Sequence, residues 1–377
     1  MSPRRVKAVV RKEFYHLIRD FRSLYLAFVM PLILILLFGY ALSLDVDNVE
    51  TVVVDQDHTD ASRDFVRALD ASAYFHVGAR LEDPRGVAEE LDHGRAMLAV
   101  IIPPDWASDI RANRAAPLQI LLDGSDPNFS NITRGYITSF TSAYDRKLLL
   151  EFLNRSGASP IEPPVEARIR VWFNEDLESR NFIIPGIIAV IIMIAAAMLT
   201  SLVIAREYEN GTMETLKSLP LTAAELLLGK AIPYFFIALT DVLIAVLMGQ
   251  LLFGIVMKAG FWLMILASSV YILVALTLGL FISTATKSQL VANQGAILIT
   301  FLPSMLLSNF VFPVSNMPKV LQAFTYVVPA RYYIEILSGI YLKNLTFIQL
   351  WHDFLVLFIM CVLLAALNLK LLKKEGL

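Results

Sequence analysis

The chain has 377 residues, of which 56% are hydrophobic and 18% charged, with a mean hydropathy of +0.61. Soluble domains run nearer about 45–50% apolar and ~25% charged, so composition excludes an ordinary soluble protein and predicts an integral membrane protein. The net charge of −2 hides an asymmetry: residues 45–180 hold 24 acidic and 14 basic side chains, or −10, which leaves +8 for the rest. The single cysteine, Cys361, lies in an apolar segment, so no intrachain disulfide can form. A soluble portion without disulfides must rely on its own core.

Residues 1–23 predict a basic amphipathic helix. Val6, Val10, Phe14, Leu17, Ile18 and Phe21 share a face, while Arg4, Arg5, Lys7, Arg11, Lys12, Arg19 and Arg22 lie mostly elsewhere. Such a helix suits the lipid headgroup region. Residues 24–44 are uncharged and predict a first span. Ala41-Leu42-Ser43 resembles a cleavage site, but the apolar run and its leader are both too long for a normal signal peptide, so a retained span is expected.

Residues 45–180 predict one soluble domain. Strands are expected at Val49–Val54, Tyr74–Leu81, Ala96–Ile102, Leu118–Leu122 and Arg168–Phe173. Helices are expected at Ala61–Leu69, Arg85–Leu91 and Asn131–Leu153. Their alternation implies an α/β or α+β layer without fixing strand order.

Residues 181–377 predict spans two to six: Phe182–Ala205, Ala231–Met257, Phe261–Thr284, Leu290–Phe312 and Leu350–Leu369. Each is near the ~20 residues a helix needs to cross a bilayer. In residues 313–349, Phe324–Val328 and Tyr332–Leu342 are apolar but broken by Pro329, Arg331 and Glu335 and too short to cross, which predicts an outer re-entrant or interfacial helix pair, with a plain surface loop as the alternative. The fold class is thus a polytopic α-helical membrane protein of six spans with an α/β or α+β domain outside. With six spans, the basic N-terminal helix, residues 206–230, Lys287 and the Lys370–Lys374 tail share one side. The positive-inside rule puts that side and both termini in the cytoplasm.

The polar island at residues 206–230 separates spans two and three. Asn210-Gly211 reads as a turn or N-cap, Met213, Leu216 and Leu219 recur at helical spacing, and Pro220 stops the run. A second helix starts at Thr222 and continues into the next span. Two readings stay open on local physics: a compact helix with an exposed apolar edge for a partner to grip, or a capped turn.

No phosphate-cradling loop is present: Gly229-Lys230 is followed by Ala231 and lacks a glycine at the required distance before it. The five histidines show no paired spacing, so no metal site is expected. No catalytic residues stand out, and Asp123 and Asp126 read as turn residues. Polar groups inside spans are costly, which makes Asp241, Gln250, Asn293 and Gln294 the candidate substrate-path residues. For Asp241 the alternative is a carboxylate protonated or paired near the interface.

The run Glu207-Tyr208-Glu209-Asn210-Gly211-Thr212-Met213-Glu214-Thr215-Leu216, then Ser218-Leu219-Pro220, Glu225 and Gly229-Lys230, resembles the cytoplasmic segment of ABC exporter permeases of the second type, the ABC-2 family. Many members have Ser-Pro where this chain has Ser218-Leu219-Pro220. Arg11-Lys12-Glu13 with Arg19-Asp20 is similar to the family's interfacial helix, and Val328-Pro329-Ala330-Arg331-Tyr332-Tyr333 to its last outer loop. A large domain after span one, starting near Val52-Val53-Val54-Asp55, resembles the subgroup with a large extracytoplasmic domain.

The resemblance implies a bacterial inner-membrane exporter subunit for amphiphiles, drug-like or lipid-like. It implies a second permease subunit, homo- or heterodimeric, a separate cytoplasmic ATPase holding ATP and Mg, and a periplasmic adaptor docked on the outer domain. Membrane lipid surrounds it, and nucleic acid is not expected. The permease itself would hold no cofactor and no enzyme activity. Glu207, Glu209, Gly211, Thr212, Glu214, Leu216, Leu219 and Pro220 would form the coupling element, with Glu209, Glu214 and Glu225 as candidate ATPase contacts. The rival functions are a secondary transporter, which should show several intramembrane charges or an inverted repeat where this chain has one acid, Asp241, and no visible repeat, and a receptor acting through the outer domain, which leaves the later spans without purpose.

Overall fold

The computed structural model describes residues 1–21, 25–41, 48–112, 114–125, 127–155, 173 and 180–376. Two compact units emerge: Met1–Leu44 with Val171–Leu377, and Asp45–Arg170. Helix α1 spans Pro3–Arg19, and α2 spans Met30–Ala41 after a π-helical turn at Tyr25–Val29.

The second unit holds β1 (Val49–Asp55), α3 (Asp60–Asp70), β2 (Phe75–Leu81), α4 (Arg85–Asp92), β3 (Leu98–Ile102), α5 (Trp106–Arg111), β4 (Gln119–Leu122) and α6 (Pro127–Arg155). The sheet order is β2-β1-β3-β4. The first three strands are parallel, and β4 is antiparallel to β3. Strands buried on both faces read as continuous apolar runs, and Val52–Val54 and Leu98–Ile102 are such runs. Phe65, Trp106 and Ile137 cover one face of the sheet, and Val87 covers the other.

Helix α3 starts with a capping box, in which Thr59 and Ser62 each bond the other's backbone N–H. Helix α5 is absent from the sequence expectation. It has only six residues, too few to show a period, and is held by Trp106 buried against Phe65 at a ring separation of 5.6 Å. The expected strand at residues 168–173 lies outside the described residues except for Phe173.

The first unit continues with α7 (Arg180–Glu209), α8 (Thr212–Ser218), α9 (Ala223–Phe253), α10 (Phe261–Thr286), α11 (Gln289–Leu306), α12 (Lys319–Thr325), α13 (Pro329–Tyr341) and α14 (Phe347–Lys374). Among the described residues five helices are long and apolar enough to cross a membrane: α7, α9, α10, α11 and α14. The apolar stretch Ala27–Tyr40 is shorter, and residues 24 and 42–44 of the expected first span lie outside the described residues. Helices α7 and α9 outrun the apolar segments, because their polar ends continue helically beyond them. Helix α11 stops at Leu306, short of the expected Phe312. The outer segment does form two short helices, α12 and α13, separated at residues 326–328; Pro329 opens α13, at the N-terminal position where its missing N–H costs nothing, and Arg331 and Glu335 lie inside that helix without breaking it.

Helix α7 is the hub. Almost every side chain from Ile183 to Ala205 is buried, with α2, α9, α10, α11 and α13 packed around it. Several buried polar groups around it are paired, as an apolar medium demands. The Tyr271 hydroxyl donates to the Ala189 carbonyl at 3.0 Å. The Tyr271 ring stacks on Tyr333 at 4.0 Å, and the Tyr333 hydroxyl lies 2.7 Å from that of Ser268. Ser283 Oγ accepts the backbone N–H groups of Ile204 and Ala205 at 3.0 and 2.8 Å. Large apolar side chains such as Phe236, Leu251, Leu298 and Phe358 point outward from the bundle.

Candidate functional site: an ion-paired end of the bundle

One end of the first unit gathers α1, α8, the turn at Lys287 and Glu375, which follows the last residue of α14. The chain turns there because Gly211 adopts φ +69°, a left-handed conformation that favours glycine, which ends α7 and starts α8 at the next residue. A second glycine sets a close approach. A Cβ on Gly229 would lie 2.6 Å from Val9 Cβ, so only glycine lets α1 lie this near α9.

That approach brings Lys230 under α1. Its Nζ lies 3.2 Å from Glu13 Oε2 and 2.8 Å from Glu207 Oε1, and donates to the Val203 carbonyl at 3.4 Å. Lys12 Nζ donates to the same Glu207 oxygen at 2.8 Å. Tyr234 donates to Glu13 Oε1 at 3.3 Å, and the Thr212 hydroxyl donates to Glu207 Oε2. Lys230, Glu13 and Glu207 are 1%, 4% and 8% exposed. Two cations and two carboxylates balance, which is the condition for tolerating buried charge. The cluster ties α1, α7, α9 and the first residue of α8 into one body.

Three further contacts extend it. Glu225 accepts from the Ser2 and Thr222 backbone N–H groups at 2.6 and 3.0 Å, with Arg5 at 3.7 Å, and so caps α9 and holds the chain start. Glu209 accepts from the Gln289 backbone N–H at 2.7 Å, at the first residue of α11. Glu375 pairs with Lys287 at 2.6 Å and Lys217 at 3.9 Å, and accepts from the Tyr208 hydroxyl at 3.4 Å. The Lys287 hydrogen bond holds the Glu375 carboxyl below its ordinary range.

This geometry corrects the sequence expectation at several positions. Met213 and Leu216 are buried beneath α8, so of the three residues of the expected apolar edge Leu219 alone is exposed. Its outer surface is Thr212, Glu214, Thr215 and Ser218, ending in exposed Leu219 and Pro220. Glu207 and Glu225 are buried in internal contacts, and exposed Glu209 is engaged by Gln289. Of the acidic candidates, Glu214 alone is exposed with no hydrogen bond or ion pair among the described residues. On α1 the buried stripe is Val9, Glu13 and Leu17, while Phe14, Ile18 and Phe21 are exposed.

The four intramembrane candidates do not converge. Asp241 is 7% exposed and faces α2 and α7. Gln250 lies nine residues further along α9, half a turn round, and is exposed. Asn293 is half-buried on α11 with a buried Oδ1 that has no partner among the described residues, and Gln294 is exposed. An apolar pocket of about 210 Å³ lies between α2, α7 and α11, lined by Leu34, Phe38, Ile191, Ile297 and Phe301 among others.

Residues 21–370 match the family model described as ABC-2 family transporter protein. The chain belongs to the ABC-2 transporter family. This ABC-2 permease is 36% identical to "Probable multidrug ABC transporter permease YbhS" of Escherichia coli K12, over 91% of this chain and 90% of the relative. It is 31% identical to "Probable multidrug ABC transporter permease YbhR" of the same strain, over 93% of each chain. It is 27% identical to "Inner membrane transport permease YhhJ" from that strain, over 71% of this chain and 70% of the relative.

Sequence reasoning missed Glu13, Lys230 and Tyr234 as one site. The available signals were an acid inside the otherwise basic α1 and a lysine at the polar edge of span three. Neither says that the two meet.

Proposed function

We infer that this ABC-2 permease is the membrane subunit of an exporter that a separate cytoplasmic ATPase drives, with ATP and Mg held in that partner. The observation that carries the reading is the division of labour at the paired end. Five carboxylates (Glu13, Glu207, Glu209, Glu225 and Glu375) are committed to internal contacts, and the outer edge of α8 is left for a partner. A push on α8 passes through Thr212 and Glu207 into α7, the hub of the bundle.

The basic paired end faces the cytoplasm in this reading, with both termini, and the acid-rich second unit lies outside. The protein works in the bacterial inner membrane as a dimer with a second permease subunit, and the outer domain offers a surface to a periplasmic adaptor. The relatives named as multidrug permeases and the apolar pocket between α2, α7 and α11 favour an amphiphilic, drug-like substrate moved outward.

The test uses Glu214→Arg, which reverses a charge on the exposed edge of α8 and leaves the Gly211 turn intact. The variant should fold but lose ATP-driven transport and most of its bound ATPase. A full complex with normal transport contradicts the reading.

A further inference from the structure

Helix α1 has two apolar faces, and the bundle uses one. At about 100° per residue, Val9, Glu13 and Leu17 make the buried stripe, and Val10, Phe14 and Ile18 make the stripe beside it. Phe14 and Ile18 are 51% and 54% exposed, and Phe21, two residues past the helix, is exposed as well.

The charges of α1 are sorted in the same way. Its one acid, Glu13, is turned inward to Lys230. Lys12 is committed to Glu207, and Arg5 lies 3.7 Å from Glu225. Arg4, Lys7 and Arg11 are exposed and have no carboxylate partner among the described residues. Lys7 falls inside the sector of Val10, Phe14 and Ile18, and Arg11 and Arg4 fall within about 40° of its edge. Arg11 lies over the exposed Tyr15 ring at 5.6 Å. The outward face of α1 is therefore an apolar strip bordered by cations.

Its level in the bundle decides what it meets. Val9 lies against α9 at Gly229, and Lys230 closes the polar stretch before the apolar length that begins at Ala231. Leu228 and Phe236 of α9, before and after that crossing, are exposed on the outside of the bundle. Helix α1 thus crosses where hydrocarbon gives way to headgroups. At that level an apolar strip enters the acyl chains, while the ammonium and guanidinium groups beside it reach the phosphates. A zwitterionic headgroup neutralises its own phosphate. An anionic one keeps net charge, and each lysine or arginine near such a surface strengthens attachment by about fivefold. A bilayer meets both halves of this face at once, whereas an acidic protein surface meets the cations only.

We propose that the outward face of α1 is a docking site for anionic lipid headgroups, held by Arg4, Lys7 and Arg11, and that lipid charge keeps α1 seated on α9. This requires that the first unit lie in a membrane and takes nothing from the transport reading.

The full chain is placed in nanodiscs of phosphatidylcholine alone or of phosphatidylcholine mixed with phosphatidylglycerol, with no ATPase present. Backbone hydrogen exchange is read over residues 4–19. In wild type it should be slower by about fivefold or more in the mixed discs, and high salt should shrink the difference. Arg4→Gln with Lys7→Gln and Arg11→Gln should exchange at one rate in both discs, and should melt with wild type in phosphatidylcholine, which shows an intact bundle. Lys319→Gln with Lys343→Gln, which removes two exposed lysines from the other end of the bundle, should keep the lipid effect. Inorganic phosphate added to phosphatidylcholine discs should not slow exchange, which separates a bilayer headgroup from a free anion. Three results overturn the inference: equal exchange of wild type in the two discs, as an acidic protein occupant would give; a full lipid effect in the triple variant; or equal slowing by inorganic phosphate.

Discussion

Lys230 and Glu13 meet at 3.2 Å across 217 positions of sequence, and both are almost completely buried. The pair fixes where the N-terminal helix sits. It also makes one residue responsible for two carboxylates, since Lys230 reaches Glu207 as well.

Removing the lysine should therefore be worse than removing either acid. Lys230→Met leaves Glu13 without a cation and Glu207 with Lys12 alone, and a broken buried pair costs about 3–5 kcal/mol. Glu13→Gln should cost less, because Lys230 keeps Glu207. The double variant Glu13→Gln with Lys230→Met should be more stable than Lys230→Met alone. Thermal unfolding of the purified chain checks the order. Equal stability of Lys230→Met and wild type would mean that the cluster holds nothing together.

Gly229 predicts a steric effect on the same helix. A larger side chain there meets Val9, and overpacking of this kind costs about 1–3 kcal/mol. Gly229→Leu should lift α1 from α9, loosen its helical backbone and speed trypsin cleavage at Arg4, Arg5, Lys7 and Arg11, whose side chains already face outward. Limited proteolysis timed against wild type reads it. An unchanged cleavage rate would show that α1 accommodates the side chain without moving.

Much of this architecture is legible in the sequence, for physical reasons that differ by element. Long apolar segments with at most one acidic residue announce α7, α9, α10 and α14 because hydrocarbon tolerates little else. The runs Val52–Val54 and Leu98–Ile102 announce the central strands by unbroken apolarity. Thr222 followed by Glu225 is a local capping signal, and the structure forms the box. What could not be read is which polar residue turns inward. The inward position of Glu207 depends on α1 lying against α9, a contact set by residues more than 200 positions apart, and the short α8 carries no local signal that Met213 and Leu216 turn inward. The same limit hides α5, whose six residues are held by a Trp106 contact and not by a pattern of their own.

The C-terminal contact predicts a pH effect. The Glu375 carboxyl is held below its ordinary range, first by its Lys287 hydrogen bond, so it favours the folded contact more when ionised. The stabilisation is fully present above the ordinary carboxylate range and is lost as pH falls through the lowered value in the folded state. Hydrogen exchange in the last turn of α14 should accelerate on acidification in wild type. Glu375→Gln should show fast exchange already at pH 7 and little further change. Parallel curves for the two proteins would contradict the assignment.

The most direct measurement is transport by the reconstituted chain with and without an ABC ATPase partner. Vesicles holding the permease alone should move no substrate under either ATP or an ion gradient, and adding the ATPase with ATP and Mg should start transport. Rapid gradient-driven transport by the permease alone would contradict the account.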